Sequence, residues 1–411
     1  MQPSLSDKEG RAISPLQIEH AVEQVTDSNG GLACSWWEAL KQVAPIYIAT
    51  HIAFLALTYL AALFSLRNFS TSSLPLNTLL VSWNRWDTSQ FTHIAAYGYD
   101  ASYRMAFFPL FPLLERILAV VVRDPFIAGL LISNLATLSM FMVFYRLVVE
   151  DFGGVRAWHS VLYLAIFPTA FFFAAAYNES LFIFFSILSF YYMRKGRWWL
   201  AGLAALFASL TRSIAICLLI PFAYEYMRQR DFQWRRIGFS VMSGIGIIGG
   251  ILLFCLYGYL KFHDPLAFMH AQKVWHRQLT FPWVVFQVAY RNIRTHPILS
   301  FTSIHTVMDL SAILFILLML VLSFWGPWKF AREQWSYAFY ACALYLFVIL
   351  TPEAASAALS SLSRFMLEIF PAFITVAAPG KRRDFNLYYL TICLPLLGFM
   401  VLQWLTGKWI V

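Results

Sequence analysis

Long apolar runs alternate with polar stretches along most of the chain. Eleven of them stand out, at 43–65, 125–145, 157–172, 179–193, 198–211, 213–227, 237–258, 306–325, 335–350, 365–379 and 386–405. A bilayer span needs about 20 apolar residues, fewer where a helix packs against protein. The pattern therefore predicts an all-α polytopic membrane protein with about 11 transmembrane helices. Two long connections, 66–124 and 259–305, mix aromatic, proline and charged residues. Residues 1–42 carry scattered acids and bases and end on Trp36-Trp37. They read as a cytoplasmic tail closing in an interfacial helix, with no cleavable signal sequence. The catalytic or transport domain is then 43–411. The stretch 105–123 reads two ways: its apolar length suits a span, while Pro109, Pro112, Glu115 and Arg116 suit a helix lying on the membrane surface.

Loop charge sets the orientation. With the N-terminus inside, the short cytoplasmic connections hold Arg146 and Arg156; Arg194, Lys195 and Arg197; Arg228, Arg230, Arg235 and Arg236; Lys329 and Arg332; Lys381, Arg382 and Arg383. The short outer connections hold only Arg212 and Arg364. This is the cation bias of a cytoplasmic N-terminus. It places the two long connections on the non-cytoplasmic side.

Composition adds exclusions. The 411 residues are 60% hydrophobic and only 12% charged, about half the charge of a soluble domain. A net charge of +9 would suggest a nucleic-acid partner in a soluble protein, but here the loops account for it. A DNA-binding module, a disulfide scaffold and a disordered chain are excluded. The five cysteines show no metal-ligand spacing. No Walker or dinucleotide fingerprint is present, so a soluble nucleotide cofactor is not expected.

Polar residues that a bilayer tolerates only for a purpose mark the candidate chemistry. Asp87 stands among Trp83, Trp86 and Gln90 near the outer surface, where a carboxylate suits a general base; the plain alternative is an ion pair with Arg85 or Arg104. Tyr177, Asn178 and Glu179 interrupt a long apolar stretch, either as a functional cluster or as a helix cap. Arg212 and Arg364, each between hydroxyl or aromatic neighbours on the outer side, suit phosphate recognition, with headgroup snorkelling as the alternative for either alone. His263, Asp264 and Trp275 suit sugar binding; a metal lacks further ligands at helical spacing.

These residues fall in short strings: RWD-x-x-x-F-x-x-IA-x-x-GY at 85–99, AFFPLFP at 106–112, YNESLF at 177–182, TRS at 211–213, DPLAF at 264–268 and SRFMLEIFP at 363–371. In that order they resemble the GPI mannosyltransferase II (PIG-V) family of the GT-C glycosyltransferase superfamily. The resemblance implies a GT-C fold and an inverting enzyme. It implies transfer of mannose from a polyprenyl (dolichyl-type) phosphate donor to a lipid, glycan or protein acceptor on the non-cytoplasmic face. It further implies Asp87 as base and no metal. Gln90 departs from the His that eukaryotic members commonly carry there. The expected partners are the lipid-linked donor, a lipid or glycan acceptor and membrane lipids, with no nucleic acid. The expected location is the plasma membrane in a prokaryote or the endoplasmic reticulum in a eukaryote. A transporter or lipid flippase is the competing reading. Gly-rich 244–250 is its one hint, and close helix packing explains that segment equally well.

Overall fold

A computed structural model describes residues 35–65, 75–352, 359 and 362–408. Among them every regular element is a helix. Each of the eleven apolar runs contains helix, but only five helices are long and apolar enough to cross a membrane by themselves. These are Trp36–Ser65, Pro125–Phe152, Phe239–Phe262, Phe301–Phe324 and Arg383–Leu405. Such helices satisfy their own backbone polar groups, as a hydrocarbon environment demands. The chain is thus an integral membrane protein; the expected eleven full-length crossings are not reproduced by length. Runs 157–172 and 213–227 shrink to helices Gly154–Ala165 and Leu219–Arg228. Run 365–379 is not one straight span. It is a pair of short helical limbs, Leu362–Glu368 and Phe370–Lys381, bent by 79°, with Pro371 opening the second limb.

The tail 1–34 lies outside the described residues. The expected separate interfacial helix ending at 42 is corrected: Trp36 and Trp37 already begin the first long helix, because no breaker separates them from its apolar run. The segment 105–123 becomes a 13-residue helix, Leu110–Val122, shorter than a span needs. Phe111 and Glu115 face inward on it, while Val120 and Val121 are exposed. Asp124 caps the next helix by accepting from the Phe126 and Ile127 N–H groups, with Pro125 at its first position.

Two devices hold the core. Helix Trp198–Thr211 packs on helix Ile245–Phe262 through glycines. A Cβ at Gly246 would lie 2.2 Å from the Gly202 carbonyl oxygen, and one at Gly250 would lie 2.2 Å from Ser209 Oγ. The Gly-rich segment is therefore a close-packing surface. The second device is polar. Residues 166–178 leave α-helix, with only the short 3-10 turn Ala170–Phe173, and helix Pro125–Phe152 satisfies part of their backbone. Ser133 Oγ donates to the Tyr177 carbonyl at 2.8 Å, Asn134 to that of Ala174 and Thr137 to that of Phe173. Irregular backbone persists at this depth only when buried and paired in this way. Tyr177, Asn178 and Glu179 are presented from that fixed turn.

Candidate active site

Sequence positions far apart converge where the 166–178 turn meets the first limb of the bent pair. Asp87 opens helix Asp87–Tyr97, and the residue before it, Trp86, has φ of 48°. A tryptophan in that region is strained, and strain of this kind persists only when the surroundings fix it. Tyr177 supplies the clamp: its hydroxyl accepts from the Asp87 N–H at 3.1 Å and donates to the Arg85 carbonyl at 3.4 Å.

The clamp delivers Asp87 to Arg364. Arg364 Nη1 donates to Asp87 Oδ2 at 2.8 Å, and its Nε donates to Glu179 Oε1 at 2.5 Å. Arg212 Nη1 reaches the same Glu179 oxygen at 2.8 Å and lies 2.9 Å from Glu368 Oε1. The result is an alternating chain of three carboxylates and two guanidiniums: Asp87, Arg364, Glu179, Arg212, Glu368. Glu179 is fully buried, Glu368 1% exposed and Arg364 6% exposed. The Asp87 side chain keeps 21% exposure, and no hydrogen bond reaches its Oδ1 among the described residues. It is the outlet of the network.

Aromatic rings wall the guanidiniums. Arg364 lies 4.5 Å from the Tyr177 ring centroid and 4.8 Å from that of Phe172. Arg212 and Arg277 sit over the Phe365 ring at 5.0 and 4.6 Å. Stacking favours arginine over lysine here, because a planar cation meets a ring and keeps its edge donors for carboxylate or phosphate.

Several expectations change. Asp87 does not pair with its sequence neighbours: Arg85 donates to the Leu405 and Ser82 carbonyls, and Arg104 pairs with Asp100. Asn178 occupies an N-cap position but makes no side-chain cap. Its amide donates instead to the Thr211 carbonyl and tethers the Arg212 turn. Arg364, expected as an open phosphate fork, is already engaged by two carboxylates. Trp83 is 8% exposed and donates to Thr58 Oγ1 at 3.0 Å, anchoring its loop to the first helix. Gln90 lies one helical turn from Asp87, and its Oε1 is buried without a hydrogen-bond partner among the described residues.

The segment 259–305 contributes little of what was expected. Asp264 accepts from the Leu266 N–H and from His270 at 2.7 Å, not from the exposed His263. Trp275 packs edge-on against Phe107 at 5.4 Å. Sequence reading missed Glu368, although it is an acid in an apolar run four residues after Arg364. The reasoning applied to Glu179 applies to it too. Arg277 and Phe365 carried no such signal.

Comparison with known proteins accords with this layout. A 151-residue stretch is 30% identical to rat GPI alpha-1,6-mannosyltransferase 2, covering 34% of this chain and 30% of that protein. A 177-residue stretch is 25% identical to GPI mannosyltransferase 2 of Schizosaccharomyces pombe, covering 42% and 38%. The chain thus matches about a third of the length of these relatives. In fold it is similar to ArnT from Cupriavidus metallidurans, solved bound to undecaprenyl phosphate. The TM-score is 0.52 at 14% identity, over 77% of this chain and 60% of that one. The expected GT-C architecture is therefore present. The family model described as mannosyltransferase (PIG-V) matches residues 50–266, more than half of the chain, and the chain belongs to that family.

Proposed function

We propose that the protein is an inverting mannosyltransferase that moves mannose from a polyprenyl-phosphate carrier to a hydroxyl acceptor on the non-cytoplasmic face. The observation that carries this reading is the network ending on Asp87: a carboxylate with one open oxygen beside buried guanidiniums. Asp87 accepts the proton of the acceptor hydroxyl as that oxygen bonds to C1 of mannose. The C1–O bond to phosphate breaks on the opposite side, and its electron pair stays on the phosphate oxygen. The leaving lipid phosphate gains negative charge, which Arg364 and Arg212 neutralise by shifting donors away from Glu179. Those two cations supply the positive charge that a metal would otherwise bring, so the step uses no metal. In this reading Gln90, one helical turn from Asp87, contacts a sugar hydroxyl, and Trp86, the residue before Asp87, walls the sugar.

The names of the relatives favour a glycolipid acceptor of the GPI type. The undecaprenyl phosphate on the structural neighbour favours a polyprenyl-linked donor. Family membership disfavours the transporter and flippase readings. Purified protein given polyprenyl-phosphate-[14C]mannose and a hydroxyl acceptor should form a product of inverted anomeric configuration, with EDTA present. Retention of configuration would overturn the in-line displacement. Loss of activity in EDTA, restored by Mn²⁺, would overturn the metal-free step.

A further inference from the structure

At the other end of helix Glu179–Arg194, about 24 Å from Glu179 by helical rise, the structure holds a cavity. Its volume is about 370 Å³, and it is lined by Trp36, Arg146, Tyr191, Tyr192, Lys195 and Arg197. Arg146 is 7% exposed, and its guanidinium lies 4.0 Å from the Trp36 ring centroid and 5.2 Å from that of Tyr191; the two rings, 6.0 Å apart, meet it at a corner. Contact with ring faces does not engage a guanidinium's edge donors. Among the described residues Arg146 Nε is buried with no hydrogen-bond partner, and Nη2 makes only a long ion pair, 3.8 Å, with Glu150. A buried cation in that state is costly.

The surroundings are also cationic. Lys195 takes Glu150 at 2.8 Å, so the one local acid is already shared. Arg197 is exposed on the rim, at the N-cap position of helix Trp198–Thr211. Among the described residues, Arg146, Lys195 and Arg197 thus line the cavity, and Glu150 is the carboxylate that Arg146 and Lys195 share.

We infer that this cavity is a phosphate-binding site for the headgroup of an anionic membrane lipid, separate from the Asp87 network. The Arg146 guanidinium supplies the buried fork, Lys195 and Arg197 supply outer charges, and Trp36 and the tyrosines line the amphipathic wall typical of a membrane interface. The inference does not rest on the proposed transferase activity.

The test uses the full chain in detergent, with lipid binding measured by native mass spectrometry. Phosphatidylglycerol should bind at least about tenfold tighter than phosphatidylcholine of the same acyl chains, as one charge-assisted contact predicts. The preference should disappear in Lys195→Gln/Arg197→Gln, whose changes are exposed and leave the core intact, and should weaken in the buried variant Arg146→Met. Equal affinity for the two lipids overturns the site. An unchanged preference in Lys195→Gln/Arg197→Gln overturns its location. Binding of glycerol 3-phosphate as tight as that of phosphatidylglycerol overturns the lipid source, since a soluble phosphate then suffices.

Discussion

Two arginine–carboxylate networks stand at opposite ends of helix Glu179–Arg194, and they are built differently. In the network around Arg194 both oxygens of Asp151 and both of Glu225 are used. Asp151 accepts from Arg194 at 2.7 Å and from the Tyr337 hydroxyl at 2.6 Å. Glu225 accepts from Arg228 on both oxygens and from Gln229. At the Asp87 end, Glu179 Oε2 and both Glu368 oxygens are buried without a hydrogen bond among the described residues, although Arg212 lies close enough to Glu368 for an ion pair. A saturated network behaves as structure. An under-satisfied one holds free energy that a ligand recovers when it supplies the missing contacts or draws the arginines toward itself. The lesson is that ion-pair count does not separate scaffold from site; the state of each oxygen does.

The largest effect should come from Asp87→Asn. The change is isosteric, keeps the Tyr177 clamp on the backbone, and removes the base. Turnover should fall about 10²–10⁴-fold with folding intact, measured by transfer rate and thermal midpoint. Next comes Arg364→Lys, which keeps the charge but loses the fork between Asp87 and Glu179. It should fail almost as badly as Arg364→Ala, with a loss of about ten- to a hundredfold. Arg212→Lys should cost less, because Arg212 is more exposed and its contact with Glu368 is not a hydrogen bond.

A crossed pair of variants breaks the comparison directly. Asp151→Asn should lower stability by about 1–3 kcal/mol, since charged hydrogen bonds are lost, and leave turnover unchanged. Glu368→Gln should do the reverse. It removes a buried charge with unsatisfied oxygens at little cost in stability, and it slows transfer about tenfold by leaving Arg212 more tightly held by Glu179. If both variants moved stability alone, the distinction between the two ends would collapse.

Much of this was legible in the chain. The apolar runs became helices where predicted, because bilayer burial and backbone satisfaction both demand helix. Asp87, Tyr177, Glu179, Arg212 and Arg364 meet in space, and each had been marked by the cost of a polar group among apolar neighbours. Their pairing was not legible. Asp87 has Arg85 two residues away, yet its partner lies 277 positions on, and only tertiary packing selects between them. Asn178 looked like a cap because the residue type and position fit; the Thr211 carbonyl competed and won. The bend after Glu368 and the shortening of 157–172 depend on which backbone groups find partners in neighbouring helices, which periodicity does not encode.

The smallest effect concerns the segment 259–305. The hydrogen bond from His270 holds the Asp264 carboxyl below its usual range. A depressed folded-state value contributes stability above the unfolded value and loses it as pH falls through the folded one. The thermal midpoint of wild type should exceed that of Asp264→Asn slightly and evenly above about pH 5, and the gap should close in more acidic solution. A gap that widened on acidification would reverse the sign.

The central claim is that the network ending on Asp87 performs transfer while the one around Asp151 only holds the fold. Its most direct test is the single-turnover rate of mannose transfer from polyprenyl-phosphate-mannose, in EDTA, for wild type, Asp87→Asn and Asp151→Asn side by side. The account predicts equal rates for wild type and Asp151→Asn, and at least about a hundredfold loss for folded Asp87→Asn. A wild-type rate in folded Asp87→Asn would contradict it.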